Sequence, residues 1–513
     1  MILYLKNEYH FDNVTGASIL LFWGAISNFM PTLGAFLSDY YLGRFRVIAL
    51  GTILSFFGML ALWLTAALPA ARPPHCDQYS DNCIKPTPSH LVLLFSSFAL
   101  IAISSGGISP CSLAFGADQF DNPKNPNNGR ILQSLFNWYY ASVAISIMIS
   151  VIVTVYIQTE VGWNMGFGVP VVLSFLSTIL FLLSSKMYVM LKSNKKLMAG
   201  FSRVVVMAWK NKDIDFPSKE SDDEGYHYDK GSKLVKPTEK LRFLNKACII
   251  RNPDKDLNPD GSAIERWNLC TVQQVKELKA LIKVLPIWST GIIIALTNGQ
   301  HSFWVLQANT MDRSLTKNFK IPVVSFSVFE IITLTLWVAI YDQILVPRIS
   351  KFTEKPQGLS LKQRIGIGLL LSFLAIAKSA LVERRRRAGA IDQGLAEQPK
   401  AIVKMSAMWL VPQNCLTRLA DAFNTLGQVE FYYSQFPKTK SSIGVALVAL
   451  GMAFGNLGKT LIVKLVDSVS QRGGNVSWVS NNLNKGHYDY YYWVLTILCI
   501  GGKLVDWVGY ELG

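Results

Sequence analysis

GASILLFWGAISNFMPTLGAFLSDYYLGRFRVIALGTILSFFGMLALWLTAAL, residues 16–68, contains two long apolar segments separated by a short charged turn. Each segment supplies the roughly 20 mostly apolar residues that an α-helix needs to cross a bilayer. The turn contains glycine, Asp39 and Arg44, and a charge pair at this spacing can hold two neighbouring helix ends together. The stretch therefore predicts two membrane-spanning helices joined on one side of the membrane.

Apolar segments of similar length recur along the whole chain of 513 residues. They lie near residues 17–40, 46–69, 89–112, 130–157, 164–191, 279–304, 320–346, 363–383, 404–428, 441–465 and 488–510. Residues 1–6 are also apolar but too short to cross, so we expect them to be the end of a first span that is mostly missing. The composition agrees, since 50% of residues are hydrophobic and only 16% are charged. An all-α protein with many membrane spans is predicted.

The distribution of basic residues sets the expected orientation. The polar, Lys-rich segment 192–278 divides an N-terminal bundle, residues 1–191, from a C-terminal bundle, residues 279–513. Placing this linker and the basic loop 347–364 in the cytoplasm satisfies the positive-inside rule. The net charge of +16 then reflects cytoplasmic loops that face anionic lipid headgroups, and a nucleic-acid partner is not expected.

Two features of the loops expected to face outward can be checked against this topology. Asn13 and Asn475 begin the sequence patterns of N-glycosylation sites, and both fall in outward loops. Cys76 and Cys83 share an outward loop, where they form either a disulfide or a pair of free thiols. The four consecutive arginines 384–387 disagree with the topology, because they fall at the outer end of a span.

Several motifs resemble those of known transporters. The segment GAFLSDYYLGR, residues 34–44, resembles the signature of the major facilitator superfamily, whose fold consists of two six-helix halves. SGGISPCSLAFGADQF, residues 105–120, is similar to the fourth-span signature of the proton-coupled oligopeptide, or nitrate/peptide, transporter family. Further matches are FNWYY at 136–140, LPIW at 285–288 and EFYYS at 430–434. The long linker and NKGHYDY, residues 484–490, resemble the plant branch of this family.

The resemblance implies a secondary transporter that moves a small solute together with protons by alternating access. Nitrate or a related small solute is the favoured substrate. The alternatives are a transporter of peptides, hormones or glucosinolates, and a truncated member that has lost coupling or transport. The family's Glu-x-x-Glu-Arg motif would lie before Met1, and Ser109 stands where the family usually has Lys or Arg. We expect the plasma membrane, with the vacuolar membrane as the alternative.

Ionisable residues within predicted spans are the first candidates for proton coupling, because a charge in the bilayer costs about 2.5–3.5 kcal/mol on insertion scales. Glu430 matches the family's proton-linked glutamate, although a carboxylate exposed at the interface remains the alternative. Glu330 departs from the family and has no partner nearby in sequence. Arg418 and Asp421 are three residues apart on one helix, so we interpret them as a structural pair.

The span near 279–304 provides the expected substrate site. On a regular helix Asn298 and Ser302 share a face, and they match positions that hold a histidine and a threonine in a nitrate-transporting relative. His301 could add positive charge, but a histidine that only packs between helices is an equal alternative. The resemblance adds Ser109 and Tyr140 to the substrate-binding candidates, and Asp118 to Asp39 and Arg44 as structural or gating residues.

No enzyme activity is expected. The chain contains no phosphate-binding Walker loop, and its His and Cys residues lack the spacing of metal ligands. We therefore predict no cofactor and no metal. The expected partners are a small-molecule or anionic substrate, protons and the lipid bilayer, and the sequence leaves the oligomeric state open.

Overall fold

The structure is a computed structural model that is almost entirely helical. It describes residues 1–73, 86–120, 135, 138–139, 142–143, 145–190, 199–214, 216, 225–228, 237–252, 256–258, 263–264, 268–297, 300–316, 319–353, 359, 361–435 and 441–511. The α-helices, in chain order, are α1 (Ile2–Asn7), α2 (Asn13–Leu37), α3 (Arg44–Ala67), α4 (Pro88–Phe120), α5 (Ile145–Val161), α6 (Trp163–Leu183), α7 (Ala199–Lys210), α8 (Val272–Thr297), α9 (His301–Asn309), α10 (Ser327–Ile340), α11 (Val346–Thr353), α12 (Leu361–Asp392), α13 (Val411–Gln435), α14 (Ser441–Ser470) and α15 (Tyr488–Glu511).

Among the described residues, seven helical stretches are long and apolar enough to cross a membrane. Each overlaps a predicted span, and the remaining four predicted spans correspond to α5, α10, α13 and α15. The helix α13 fails a simple hydropathy test because it carries Asn, Gln, Arg and Asp side chains. Many of these polar side chains are buried against other helices, so the low hydropathy of α13 reflects an inward-facing polar surface.

The strands among the described residues are short and lie between the long helices. They are β1 (Met311–Asp312), β2 (Ser314–Thr316), β3 (Phe319–Lys320) and β4 (Val403–Ser406). The pair β2–β3 is antiparallel, whereas β1 lies parallel to β4. The β1–β4 pair therefore ties the segment after α9 to the segment before α13.

Helices α2 to α6 pack mainly on one another, and α8 to α15 form a second group. Small residues permit close approaches: a Cβ added to Gly34 would clash with the carbonyl oxygen of Gly106, so α2 and α4 touch backbone to backbone there. The main contact between the two groups is α2 against α14, where Gly24 faces Asn456. A hydrophobic cluster that includes Ala17 from the first group and Tyr491 from the second extends this contact.

The sequence predicted one regular helix across residues 279–304, but the structure interrupts it. Helix α8 ends at Thr297, and α9 begins at His301 after Gln300 leaves the helical conformation with φ −75° and ψ 46°. Broken helices occur in membrane proteins where the freed backbone lies within protein or next to a cavity. The break at this position therefore draws attention to the side chains around Gln300.

Candidate functional site

A polar cavity lies inside the second group of helices, next to the break between α8 and α9. Glu330 and Thr297 in its wall are almost completely buried. Its lining residues are Thr297, Gln300, His301, Trp304, Glu330, Ile376, Ser379, Gln413, Asn414, Thr417 and Tyr492. These residues come from α8, α9, α10, α12, α13 and α15, so the cavity depends on the packing of the whole helix group.

Glu330 in the cavity wall belongs to an ion pair that joins two helices. The Nε atom of Arg418 on α13 donates a hydrogen bond to Oε2 of Glu330 on α10 over 2.8 Å. Asp421 lies farther from Arg418, with 3.6 Å between Nη1 and Oδ2. Glu330, which has no partner nearby in sequence, thus has a partner on another helix, and Arg418 contacts Glu330 more closely than it contacts Asp421. Sequence could not reveal this pair because its members are 88 residues apart.

His301 stands beside the ion pair and has two competing contacts. Its Nδ1 atom accepts a hydrogen bond from Nε1 of Trp304 at 3.2 Å and lies 3.9 Å from Oε1 of Glu330. An Nδ1 that accepts from Trp304 carries no proton, whereas an ion pair with Glu330 requires a protonated ring. The position of His301 therefore allows its contacts to change with its protonation state.

A second, more apolar cavity lies between the two helix groups. It is lined by Met1, Ile2, Leu3, Leu20, Val155, Gln158, Thr159, Trp163, His301, Ser302, Val305 and Val324. The His301 side chain is 49% exposed and borders both cavities, whereas Ser302 borders only this second one. His301 therefore connects the space between the groups with the buried ion pair.

Two amide side chains in the polar cavity carry atoms with no hydrogen-bond partner. They are Oε1 of Gln413 and Nδ2 of Asn414, and both residues are almost completely buried. An unpaired buried polar atom is unfavourable by about 1–3 kcal/mol, so such atoms need a structural or functional explanation. The sequence analysis missed both residues, although two consecutive amides in a predicted span were a visible signal.

Other predicted site residues are not brought to this cavity or fall outside the described parts of the chain. Ser109 lies exposed on α4 and does not line the polar cavity. Asn298, Tyr140, Cys76 and Cys83 lie outside the described residues. The backbones of Asp39 and Glu430 are described, in a π-helical turn and in α13, but their side chains are not.

Arg44 and Asp118 approach each other on the side predicted to be cytoplasmic. The Nη1 atom of Arg44, at the start of α3, lies 2.7 and 2.6 Å from the two carboxylate oxygens of Asp118, near the end of α4. Such a charge-assisted contact can fix the ends of two neighbouring helices. Their role in gating stays a prediction.

The structure overturns one of the two glycosylation assignments. The Asn13 side chain is 1% exposed, and its Nδ2 atom lies within hydrogen-bond distance of three oxygen atoms, those of the Ser480 and Asn481 carbonyls and the Tyr488 hydroxyl. A glycan cannot be attached to a nitrogen buried in this way, so Asn13 is not an acceptor in this conformation. Asn475 is exposed, as its predicted role requires.

In the arginine run 384–387, which disagreed with the topology, Arg386 and Arg387 have internal contacts, whereas Arg384 and Arg385 are exposed. Arg386 is completely buried and forms two 2.8 Å contacts with Glu383, one helical turn earlier. Arg387 contacts His487, and Arg385 stacks over the ring of Trp409. The topological rule concerns charges in the loops and at the ends of spans, so the buried Arg386 weighs less against the predicted orientation, whereas Arg384 and Arg385 still disagree with it.

Lys459 is a further ionisable residue that the sequence analysis left out. It is almost completely buried on α14, and its Nζ atom donates to Oδ1 of Asn456 at 3.3 Å. The insertion cost that selected Glu330 and Glu430 applies to this lysine as well. Within the described residues, no group of three or more His, Cys, Asp or Glu side chains is arranged to hold a metal ion.

Comparisons with known proteins agree with this architecture. A family model described as "PTR2: POT family" matches residues 45–479. The Arabidopsis thaliana protein NRT1/PTR FAMILY 1.2 is 49% identical over 503 residues, covering 97% of this chain and 83% of the relative. NRT1/PTR FAMILY 1.1 from the same plant is 50% identical over 501 residues, covering 97% and 85%.

Solved structures show the same fold at low sequence identity. An auto-inhibited POT family peptide transporter aligns with a TM-score of 0.69 and 18% identity, over 97% of this chain and 88% of that one. The POT family transporter PepTSo aligns with a TM-score of 0.65 and 18% identity, over 98% and 91%. These likenesses support the major facilitator fold, and together with the sequence matches they establish that the chain belongs to the POT family of multi-pass membrane transporters.

Proposed function

We propose that the chain is a proton-coupled symporter and that the Glu330–Arg418 ion pair is its coupling element. The observation that carries this proposal is the ion pair of the buried carboxylate of Glu330 with Arg418, with His301 between it and the cavity that separates the two helix groups. A carboxylate can hold or release a proton, whereas an arginine stays charged. The pair therefore has a paired state and a state in which Arg418 lacks its partner.

The coupling step follows from this difference. A proton that reaches Glu330 through His301 neutralises the carboxylate, and its attraction for the guanidinium of Arg418 falls. Arg418 is one-third exposed, so the released guanidinium can receive an anionic group of the substrate. When the proton leaves, Glu330 competes for Arg418 again and the substrate is displaced.

The charge balance supports nitrate or another small anion as the substrate. Asn298 and Ser302 offer only neutral donors, but Arg418 supplies a full positive charge. An anion that enters a negative-inside cell works against about 2.3 kcal/mol per 100 mV, so net inward current requires at least two protons per anion. His301 and Glu330 together provide two protonation sites 3.9 Å apart.

The test is the uptake of labelled nitrate in oocytes between roughly pH 5 and pH 7.5, a range that spans the ordinary pKa of histidine. A dipeptide and a plant hormone are measured in parallel, because the solved structural neighbours include peptide transporters. We expect acid to stimulate uptake in the parent. In Glu330→Gln the stimulation should be lost while exchange of substrate across the membrane persists, because glutamine cannot cycle a proton.

A matched control separates coupling from a general loss of carboxylates. Asp392 is exposed at the end of α12, and Asp392→Asn should keep the parent's pH dependence. If Glu330→Gln is stimulated by acid as strongly as the parent, Glu330 is not the coupling site. If the parent carries the dipeptide or the hormone but no nitrate, the coupling proposal stands and the substrate assignment fails.

A further inference from the structure

Asn13 forms a polar contact between the two helix groups on the side predicted to face outward. Its Nδ2 atom lies 3.1 Å from the carbonyl oxygen of Ser480, 3.2 Å from that of Asn481 and 3.2 Å from the hydroxyl of Tyr488. Its backbone N–H donates to Oδ1 of Asn481 over 2.6 Å. One residue at the start of α2 is therefore held by several atoms of the segment before α15.

The segment 480–488, which we call the outer platform, is held in place by its own helix group. Arg386 on α12 donates to the carbonyl oxygen of Leu483 at 2.9 Å and to Oδ1 of Asn484 at 2.8 Å. The hydroxyl of Tyr488 donates to Ser480 at 2.9 Å, and Nδ2 of Asn482 donates to the carbonyl oxygen of Ala396 at 2.8 Å. The platform therefore has contacts within its own helix group in addition to those with Asn13.

The other side of the contact is also fixed locally. Lys6 donates to Oδ1 of Asn13 at 2.9 Å, so both ends of the amide are engaged. The Asp12 side chain caps α2 by accepting from the backbone N–H of Thr15. The neighbouring Val14 is buried in the hydrophobic cluster that includes residues of both groups. Any separation of the two groups at this end must break the Asn13 contacts and expose Val14.

We propose that Asn13 and the outer platform form a latch that holds the outward side of the transporter closed, so that Asn13 is a positioning residue for the transport cycle. The proposal rests on the alternating-access transport proposed above. In the outward-open state, water replaces the platform as the partner of Asn13. The latch also explains why an asparagine in a glycosylation pattern is buried.

A first experiment measures opening without any substrate. Cys76 and Cys83 are replaced by serine, and Val14→Cys serves as a reporter for a membrane-impermeant thiol reagent. Adding Asn13→Ala should increase the rate of labelling about tenfold, because each lost hydrogen bond weakens the closed state several-fold.

Two further variants serve as comparisons. Tyr488→Phe removes one hydrogen bond from the platform side and should give a smaller increase in the labelling rate. Asn475→Ala, in the loop that contains the outer platform, removes a hydrogen bond to the carbonyl oxygen of Arg472 and none to Asn13, so it should leave the rate unchanged.

A second experiment prevents opening. In the same serine background, Asn13→Cys and Asn481→Cys are joined by a short thiol crosslinker. We expect the crosslinked protein to lose uptake and a reducing agent to restore it. Full uptake by the crosslinked protein would overturn the latch, as would unchanged Val14→Cys labelling in both Asn13→Ala and Tyr488→Phe. If the parent carries no solute at all, the transport proposal fails, and the labelling rates still decide whether the latch exists.

Discussion

At the scale of single residues, the structure shows that ionisable side chains that look isolated in sequence have partners on other helices. Insertion cost correctly selects Glu330 as a residue that needs an explanation, because a lone carboxylate is unfavourable at membrane depth. The insertion cost cannot identify the partner of Glu330, because Arg418 lies on another helix. In sequence, the acidic residue close to Arg418 is Asp421. The same limit applies to Asn13, whose partners follow almost five hundred residues later. Sequence therefore identifies candidate residues, and folding determines which atoms meet.

A stability measurement at the Glu330–Arg418 pair tests this pairing directly. Arg418→Met removes the cation and leaves Glu330 buried, so we expect the free energy of unfolding to fall by about 2 kcal/mol, less than for a fully buried pair. Adding Glu330→Gln should recover most of the loss, because no unpaired charge then remains. Thermal unfolding of the purified protein in detergent provides the readout. Strictly additive losses in the double variant would show that the two side chains do not interact.

At the scale of helices, length and hydropathy locate the apolar spans but miss their polar content. Helix α12 extends from Leu361 to Asp392, beyond the predicted end at 383, so the arginine run continues a helix that extends past the apolar segment. Helix α13 carries a polar face that is buried against its neighbours. The break after α8 was missed because the helical pattern continues through it. In each case, contacts with other parts of the fold stabilise a feature that the local sequence pattern disfavours: the charged extension of α12, the polar face of α13 and the break after α8.

The arginine run permits a matched comparison within one helix. Arg386 is completely buried, pairs with Glu383 and holds the outer platform, whereas Arg384 is exposed. Arg386→Leu should lower the free energy of unfolding by about 3–5 kcal/mol, because it leaves a buried carboxylate without its partner. Arg384→Leu should change it by less than about 0.5 kcal/mol. Equal melting temperatures for the two variants would contradict the assigned burial of Arg386.

At the scale of the whole molecule, the sequence predicts the fold class and nearly all helical spans, since long apolar segments leave few alternatives. The resemblance to known transporters is equally specific, because its motifs are spread over most of the chain. The candidate site was predicted less completely. His301 and Glu330 were selected, and the Arg418–Asp421 pair is present, but the closer contact of Arg418 with Glu330 was not predicted, and Gln413 and Asn414 were missed. A cavity formed by six helices depends on distances that no local pattern contains.

The orientation of the molecule remains a prediction, and cysteine labelling can test it. Loop charge places residues 192–278 inside and Asn475 outside. With Cys76 and Cys83 replaced by serine, Asn475→Cys should react with a membrane-impermeant maleimide in intact cells, whereas Lys212→Cys should react only after permeabilisation. The linker thiols Cys248 and Cys270 should not react with the maleimide at neutral pH, because burial raises their pKa values to about 12 and about 11. In the unmodified chain, glycosidase should remove a glycan from Asn475 and none from Asn13. Labelling of Lys212→Cys in intact cells would reverse the assigned orientation, and with it the assignment of the Asn13 latch to the outer side.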